Sequence, residues 1–324
     1  RQTPKFRLLA GDLSGIQHTL FLLANQQVKG VNRILRARSF LMGMSTEAAV
    51  LMLRQSLDLS PFNLIQNAGG RFVLLVPDSP QLDGVLRELR RKLDRWFVAQ
   101  FHGELSLNLA ITPAFAGQDL LRDHFGRVQT LLGTAIDEAK LTPLRFADTG
   151  ALPIEYPHGA CTACGLRPAA HKDSDAHRCD TCHDEHRLGA ELPRATHLSW
   201  HRGKPAESAC SVRFFDDLWL ALHEREPHKS RDHLGGCRLG DDAESNADWP
   251  LRFVANYVPR LSADELQAAR YANLSAGEET AEGRPKLFQH LAQDALEQVG
   301  DHLVGKPFLG VLKADVDHLG LIFG

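Results

Sequence analysis

The fold is decided near the N-terminus, by the stretch Leu8-Leu9-Ala10-Gly11-Asp12-Leu13-Ser14-Gly15-Ile16. Its apolar beginning predicts a buried strand over residues 6–10, and helical spacing begins at Ile16. The strand therefore ends in a carboxylate and turns directly into a helix. At such a place Asp12 has two interpretations, as a side chain that binds a ligand or as the cap of the helix that follows.

The residues after this stretch alternate between helical and extended periodicity. Helices are predicted over 16–25, 31–57 and 82–101, and strands over 62–66, 72–76 and 105–112. A turn that contains Gly69 and Gly70 joins the first two of these three strands into a hairpin. Together with the strand at 6–10, this order is the ferredoxin-like pattern of polymerase and nucleotide-cyclase palms, with one added helix. We therefore predict an α+β fold whose first domain, residues 1–150, is a ferredoxin-like palm.

The rest of the chain predicts a linker domain at 151–306 and the first strand of a second palm at 307–324. A helix over 119–140 precedes the linker domain. Inside the linker, the sequence predicts strands at 196–200 and 211–215, a Gly- and Asp-rich loop at 235–248, and helices at 262–275 and 285–303.

Four cysteines in the linker domain have the spacing of a structural zinc site. Cys161 and Cys164 form one C-x2-C pair, and after 14 residues Cys179 and Cys182 form a second. Each such turn holds two thiolates about one tetrahedral edge apart, so the two turns complete a four-thiolate sphere with no position left for substrate. Simple apolar packing and a redox dithiol are alternatives that this spacing disfavours. We predict a zinc ribbon over 158–190 that stabilises the fold and takes no part in chemistry.

An echo of the opening stretch occurs at the other end of the chain. The run Val311-Leu312-Lys313-Ala314-Asp315-Val316-Asp317-His318-Leu319-Gly320 is again an apolar strand that ends in an acid and soon reaches a glycine. In palm and cyclase folds a carboxylate at this place reaches a Mg²⁺ ion that bridges nucleotide phosphates. Two acids beside one apolar strand repel each other unless a cation joins them. This favours a metal role for Asp315 and Asp317 over helix capping.

Two further features favour contact with phosphates. Paired glycines at a hairpin tip let phosphates approach the backbone closely, although a plain tight turn is the alternative. A catalytic palm would carry acids after these glycines, whereas this sequence has Arg71, so we predict a degenerate first palm. Three basic residues share one helical face and predict an RNA or phosphate contact, with an ordinary solvated surface as the alternative: Lys29, Arg33 and Arg36.

Composition limits the remaining classes of function. At 324 residues the chain is long enough for two or three domains. A net charge of −3 confines any nucleic-acid contact to local patches. No apolar run approaches the ~18 residues of a membrane span. Four of the six cysteines lie in one metal pattern, which is typical of a reducing compartment, so we expect a cytoplasmic protein without a membrane partner.

These motifs resemble a known family, the large polymerase-like subunit of type III CRISPR interference complexes of the Csm kind. The resemblance rests on stretches spread in family order over the whole chain, at 11–17, 35–40, 68–77, the four-cysteine segment and 314–323. It implies two palms around a zinc-bearing linker, which convert ATP to cyclic oligoadenylate when target RNA binds. It also implies Mg²⁺ or Mn²⁺ with ATP, and as partners the other effector subunits, guide RNA, target RNA and, in many members, single-stranded DNA.

The resemblance also assigns roles to individual residues. It implies that Asp315 and Asp317 are catalytic, and that the first palm binds nucleotide through Asp12, Ser14, Gln17, Gly69 and Gly70. The sequence departs from the family pattern because it has no HD nuclease domain and ends before a Gly-Gly-Asp-Asp hairpin. We therefore expect a nucleotidyltransferase of which this chain holds only part of the site, so that the chain alone is inactive.

Two other functions stay open on the sequence. One is a non-enzymatic zinc-ribbon scaffold that packs against RNA or protein. The other is a different palm enzyme, such as a diguanylate cyclase or a polymerase. Arg71 stands where such an enzyme needs an acid, and simple diguanylate cyclases lack a zinc ribbon, so the second alternative is disfavoured.

Overall fold

The structure is a computed structural model that describes residues 2–24, 30–145, 154–173, 176–240, 249–252, 258–272, 274 and 280–310. The chain forms two compact units, Arg1–Ala255 and Asn256–Gly324. The predicted α+β class is confirmed, while the predicted boundaries at 150 and 306 describe a finer division and stay predictions. Among the described residues, no helix combines the length and the apolar content that crossing a bilayer requires.

The first unit begins with an antiparallel sheet and the helices that cover it. Along the chain lie β1 (Pro4–Ser14), α1 (Ile16–Ala24), α2 (Val31–Ser56), β2 (Leu64–Ala68), β3 (Arg71–Pro77), α3 (Leu82–Phe101), β4 (Ser106–Ile111), β5 (Phe115–Ala116) and α4 (Arg122–Lys140). The strand order is β2–β3–β1–β4, and β5 pairs with β1. The pairs of β1 with β3 and β4, and of β2 with β3, are all antiparallel. The predicted elements therefore exist, each within a few residues of its predicted bounds.

Strand β1 is buried on both faces of this sheet. Leu8 and Ala10 lie in the cluster that α4 covers, whereas Leu9 and Leu13 lie in the cluster that α2 and α3 cover. This is why the strand shows an uninterrupted apolar run instead of an alternating one. The strand is longer than the predicted 6–10 because its polar end continues to pair, with Ser14 opposite Ser106 of β4.

A second sheet completes the first unit. The elements are β6 (His171–Asp173), β7 (Ala176–Arg178), α5 (Asp180–Glu191), β8 (His197–Arg202), β9 (Cys210–Phe214), β10 (Leu218–His223), β11 (His233–Leu239) and β12 (Leu251–Arg252). Strands β6 and β7 form a separate hairpin, and the larger sheet has the order β12–β11–β8–β10–β9. The predicted loop at 235–248 is wrong over its first residues, because Cys237 and Leu239 are buried and β11 pairs with β8.

Aromatic side chains join the second sheet to the first. Trp96 of α3 stacks on Phe214 with ring centroids 5.4 Å apart, and meets Phe215 edge-on at 4.9 Å. Phe214 and Phe215 belong to the same buried cluster as the apolar side chains of α2 and α3. The second sheet is therefore part of the same core as the first.

The second unit is built from short elements. It contains α6 (Ala263–Gln267), α7 (Phe288–Gln293), β13 (Glu297–Val299) and β14 (His302–Val304). The predicted helix over 285–303 is wrong beyond Gln293, where the chain turns at Gly300 (φ 62°) into a hairpin. The predicted helix over 262–275 is likewise shorter. Inside this unit the ammonium of Lys286 lies 2.6 Å from Glu265 and 2.8 Å from Asp294, which ties α6 to α7.

One face of the second sheet buries a cluster of imidazoles. His201 and His223 are buried, and their Nε2 atoms both lie 2.7 Å from the hydroxyl of Ser199, which is itself buried. His197 is buried on the same strand as Ser199. Burial, with the neighbouring histidines as smaller causes, lowers the pKa of His223 to about 4. Burial also lowers the pKa values of His197 and His201. The folded sheet therefore requires neutral imidazoles.

We expect acid to destabilise this sheet from about pH 6.5 downward, before most carboxylates begin to titrate. An unfolded histidine has a pKa of about 6.5, so the contribution of His223 is complete above that pH and is lost as the pH falls towards 4. A shift of this size corresponds to roughly 3 kcal/mol at 1.36 kcal/mol per unit. Urea unfolding of the wild type and of His223→Gln measures it, with the exposed His124→Gln as control. Equal pH dependence in all three proteins would contradict the assignment.

Candidate functional site

The four predicted cysteines come together in the structure. Their sulfur atoms all lie within 4.8 Å of one another, and all four residues are buried. Cys164 Sγ and Cys179 Sγ are 4.0 Å apart. A tetrahedral ion with metal–sulfur bonds of about 2.3 Å has sulfur–sulfur edges of about 3.8 Å. The four thiols thus fit a single metal ion and leave it no position for a substrate.

Each cysteine pair is held by backbone hydrogen bonds. In the first turn, the amide of Cys161 donates to the carbonyl of Arg167 at 2.8 Å, and the amide of Gly165 donates to the carbonyl of Cys161 at 2.8 Å. In the second turn, Cys179 is the N-cap of α5, and its sulfur accepts a hydrogen bond from the amide of Cys182 at 3.4 Å. These hydrogen bonds hold both turns with their sulfur atoms directed towards one another.

Hydrogen bonds among the four thiols shift their pKa values. Hydrogen bonds, from Cys164 first and then from Cys179 and Cys182, lower the pKa of Cys161. Hydrogen bonds with the same cluster, that of Cys161 first, raise the pKa of Cys182. Four buried thiolates at this separation repel one another unless a cation joins them. The chemistry of this donor set is that of a closed, structural metal site.

The four-cysteine cluster is packed directly against α2. Ile34 is fully buried in one cluster with the four cysteines. Two residues later, the guanidinium of Arg36 donates to the carbonyl of Gly189 in α5 at 2.7 Å. A side chain at position 189 would have its Cβ 1.9 Å from the carbonyl oxygen of Arg33, so this close approach of the two helices requires glycine.

A buried ion pair lies at the centre of this helix contact. Arg38 donates to both carboxylate oxygens of Glu185, at 3.0 Å and 2.6 Å, and each side chain is only 1% exposed. Arg38 also donates to the carbonyl of Thr19 at 2.7 Å and to the sulfur of Cys182 at 3.7 Å. Burial opposes the charge, but Glu185 outweighs it and raises the pKa of Arg38. One side chain therefore connects α1, α2, α5 and the four-cysteine cluster.

The predicted nucleotide-binding residues gather at one end of the first sheet. Asp12 pairs in register with Arg71, whose Nε lies 2.7 Å from Oδ1 of Asp12. The ammonium of Lys140 lies 2.8 Å from Oδ2 of the same carboxylate. Ser14 accepts a hydrogen bond from the side-chain amide of Asn108 at 3.0 Å. Both oxygens of Asp12 thus have cationic partners from the protein, while Arg71 and Lys140 remain 43% and 37% exposed.

The glycine turn forms the tip of the β2–β3 hairpin beside this carboxylate. Gly69 and Gly70 have φ values of 63° and 84°, which the type of tight turn predicted here requires. The carbonyl of Gly70 accepts a hydrogen bond from the amide of Leu13 at 2.9 Å. A Cβ at Gly69 would meet nothing within 4 Å, so this part of the tip is open. Gln17 is exposed in the first turn of α1.

The other predicted site residues have different positions. Arg33 and Arg36 are half-buried on α2, where Arg36 faces α5, so this part of the predicted stripe contacts protein. Lys29, Asp315 and Asp317 lie outside the described residues.

Sequence reasoning missed the residues that tie the sites to the fold. Arg38 and Glu185 are 147 positions apart, and Lys140 is far in sequence from Asp12. One signal was available, because Arg38 falls one helical turn after the apolar Ile34, on a face that should be buried. The other partners had no such signal, since their contacts depend on the arrangement of elements in space.

Residues 5–152 match the family model described as Csm1 subunit domain B. A relative from Thermococcus onnurineus, described as the CRISPR system single-strand-specific deoxyribonuclease Cas10/Csm1 of subtype III-A, is 28% identical to this chain. The alignment of 342 residues covers 100% of this chain and 39% of the relative. The chain thus spans less than half the length of this curated relative.

Solved structures of related complexes have a similar fold. The Csm1–Csm4 subcomplex of the type III-A CRISPR-Csm interference complex has a TM-score of 0.61 and 18% identity, over 90% of this chain and 34% of that one. The Csm1–Csm4 cassette in complex with one ATP has a TM-score of 0.58 and 18% identity, over 91% and 34%. The cassette in complex with cA4 gives 0.57 and 18%, over 90% and 33%. The match of residues 5–152 to the Csm1 domain B and the alignment of the whole chain with a Cas10/Csm1 protein support a Csm-type Cas10 subunit, of which this chain spans only part.

Proposed function

We propose that this chain is part of the subunit that converts ATP to cyclic oligoadenylate in a type III CRISPR effector complex, and that its first sheet forms one wall of the ATP site. A single observation carries the proposal. Asp12, Ser14 and the Gly69–Gly70 tip lie together at one end of the sheet, beside the half-exposed cations Arg71 and Lys140. The relatives solved with ATP and with cA4 support the same substrate and product.

The first sheet is, in this proposal, a palm of the ferredoxin-like type. The antiparallel order β2–β3–β1–β4 and the helices between its strands support it, since this is the arrangement of a split βαβ pattern. We take this sheet as the degenerate palm, because it has Arg71 where a catalytic palm would carry an acid. Arg71 and Lys140 already neutralise Asp12, so that carboxylate is poorly suited to hold Mg²⁺ and better suited to orient cations that meet phosphate oxygens.

Catalysis is then assigned to the two acids of the second predicted strand. Asp315 and Asp317 would hold Mg²⁺ or Mn²⁺, which neutralises charge on the transferred phosphoryl group. In the first palm, Ser14 and the exposed Gln17 would contact nucleotide, and the open backbone at Gly69 admits phosphate. The chain alone would then lack a complete active site.

The four-cysteine cluster binds zinc in this proposal, in a linker domain over 151–306. Four thiolates at tetrahedral spacing are the donor set that zinc takes in structural sites. The partners are guide RNA, target RNA and the other effector subunits in the cytoplasm, and in the whole protein single-stranded DNA. In this proposal, RNA contacts the basic stripe of Lys29, Arg33 and Arg36. Arg36 also positions α5, through the carbonyl of Gly189.

The proposal predicts that Lys140→Gln weakens ATP binding about tenfold, or ~1.4 kcal/mol, because a phosphate oxygen loses a cation. Isothermal titration of this chain with Mg²⁺ and ATP measures the dissociation constant. Lys92→Gln is the matched control, because Lys92 is an exposed lysine that also has an acidic partner, Asp216, but lies on α3. ATP binding that weakens equally in both variants would contradict the proposal and favour the non-enzymatic scaffold.

A further inference from the structure

Two arginines flank the four-cysteine cluster, and each is held by a carboxylate. Arg38 is bonded to Glu185 and also reaches the sulfur of Cys182. Arg167 lies 2.5 Å from Glu104, and its side chain is 3% exposed. These residues come from four separate places in the sequence, α2, α5, the first cysteine turn and the segment before β4, yet they converge on one cluster.

The second arginine has hydrogen-bonding capacity that the described residues do not use. Nε and Nη1 of Arg167 are buried, and among the described residues neither has a hydrogen-bond partner. Burial lowers the pKa of Arg167, but Glu104 and then the thiols of Cys164, Cys179 and Cys182 raise it above its ordinary value. The backbone holds Arg167 against the cluster, because its carbonyl accepts a hydrogen bond from the amide of Cys161 at 2.8 Å.

The charge of a loaded site explains why such arginines matter. A divalent ion with four thiolates carries a net charge of about −2, which is costly in a buried place. Guanidinium N–H groups beside sulfur delocalise that charge, and a carboxylate behind each arginine fixes its orientation. Metal-bound histidines are oriented by carboxylates in the same manner, and loss of such outer partners typically costs 10–100-fold in metal affinity.

We propose that Arg38 and Arg167 are positioning residues of the metal centre that determine how tightly the four cysteines hold their ion. Arg38 forms a carboxylate–arginine–thiolate chain from Glu185 to Cys182, and Arg167 is held by Glu104 beside the first cysteine turn. The inference rests on the proposed zinc site. It extends that site from four cysteines to a second layer contributed by α2 and by the segment before β4. Arg38 and Arg167 do not ligate the metal in this arrangement and act only through the sulfurs.

The test separates this role from simple packing. Arg38→Met with Glu185→Leu, and Arg167→Met with Glu104→Leu, each remove a whole ion pair, so that no charge is left buried without a partner. Zinc affinity is measured by competition with a chromophoric chelator, and melting in saturating zinc establishes that each variant folds. We expect both double variants to bind zinc 10–100-fold more weakly. Arg36→Met is the matched control, because Arg36 also joins α2 to α5 but bonds to a backbone oxygen.

A spectroscopic readout reports on the sulfurs themselves. In protein loaded with cobalt(II), the thiolate-to-cobalt charge-transfer band should move to lower energy in both double variants and stay in place in Arg36→Met. Folded double variants with wild-type zinc affinity and an unmoved band would overturn the inference. If a double variant does not fold, Arg167→Lys tests the role of Arg167 instead. Lysine keeps Glu104 paired but lacks the planar array of N–H donors of a guanidinium. Wild-type affinity in that variant overturns the role of Arg167.

Failure of this inference is distinguishable from failure of the zinc site. Wild-type protein that takes up no zinc contradicts the proposed metal. Wild-type protein that binds zinc, with variants that bind it equally well, contradicts only the role of the arginines.

Discussion

Removal of the metal is expected to unfold α5 and to uncover α2, well beyond the cysteine segment itself. Structural zinc contributes about 10–16 kcal/mol of apparent binding free energy in small zinc-finger peptides, which is comparable to the stability of a whole domain. Here the cluster also forms one side of the packing around Ile34, and α5 is held to α2 through Glu185. Without the ion, four buried thiols lose the cation that keeps them together, and the helix contact should open with them.

Hydrogen exchange measured by mass spectrometry, with and without a chelator, tests this expectation. Protection should fall in α5 and in the first half of α2, while α4, on the opposite face of the first sheet, keeps its protection. Cys182→Ala should reproduce the effect. Cys237→Ala, which changes a buried cysteine of β11 outside the cluster, should not. Unchanged protection of α2 after verified metal loss would mean that the helix stands without the metal site.

Arg38→Met is expected to destabilise the first unit by about 3–5 kcal/mol. The substitution leaves Glu185 buried without its partner, and breaking a buried pair from one side costs this much. Most of the lost stability comes from leaving the Glu185 carboxylate buried without a partner, and less of it comes from losing the attraction between the two charges. Adding Glu185→Leu should therefore recover most of the stability, because two apolar side chains of similar volume replace the pair.

Chemical denaturation of the two single variants and the double variant measures this cycle at saturating zinc. A strongly positive coupling, with the double variant closer to the wild type than either single variant, is the expected outcome. The exposed pair of Arg91 and Glu88 on α3 is the matched control, since exposed pairs of this kind contribute about 0–1 kcal/mol. Additive losses at Arg38 and Glu185 would rule out a desolvated pair as the cause.

The elements of the first sheet could be predicted because each follows from local periodicity. The run at Leu8 and Leu9, the glycine pair at 69–70 and the amphipathic helix at 82–101 carry their structure in their own residues. The second sheet was harder. Strand β11 contains Gly235 and Gly236, which weaken the sequence pattern of a strand. It forms because it pairs with β8 and because Cys237 packs in the core. The hairpin at 297–304 similarly depends on a turn at Gly300 that helical spacing conceals.

The candidate sites likewise differ in how far local sequence predicts them. The cysteine spacing encodes a local geometry, so the gathering of the four cysteines into one cluster follows from the sequence. The partners of Asp12 do not, because Arg71 reaches it through sheet register and Lys140 through the end of a distant helix. The two cations neutralise the carboxylate of Asp12 within the protein. The neighbouring residues in the sequence do not indicate that Asp12 has these partners. Arg38 likewise is an ordinary basic residue in the sequence, whereas in the structure it contacts Glu185, Thr19 and Cys182.

The contact between α2 and α5 also sets an order of events during synthesis. Arg38 leaves the ribosome 147 residues before Glu185 does, which at 5–20 residues per second is a delay of about 7–30 s. The strands of the first sheet can pair during that interval. Until α5 has been synthesised, the guanidinium of Arg38 and an apolar face of α2 remain exposed. The cysteine turns are local and can capture their ion soon after they emerge. Chaperone binding to the nascent chain should therefore be strongest before residue 185 appears, and should end when the loaded turns dock on the waiting helix.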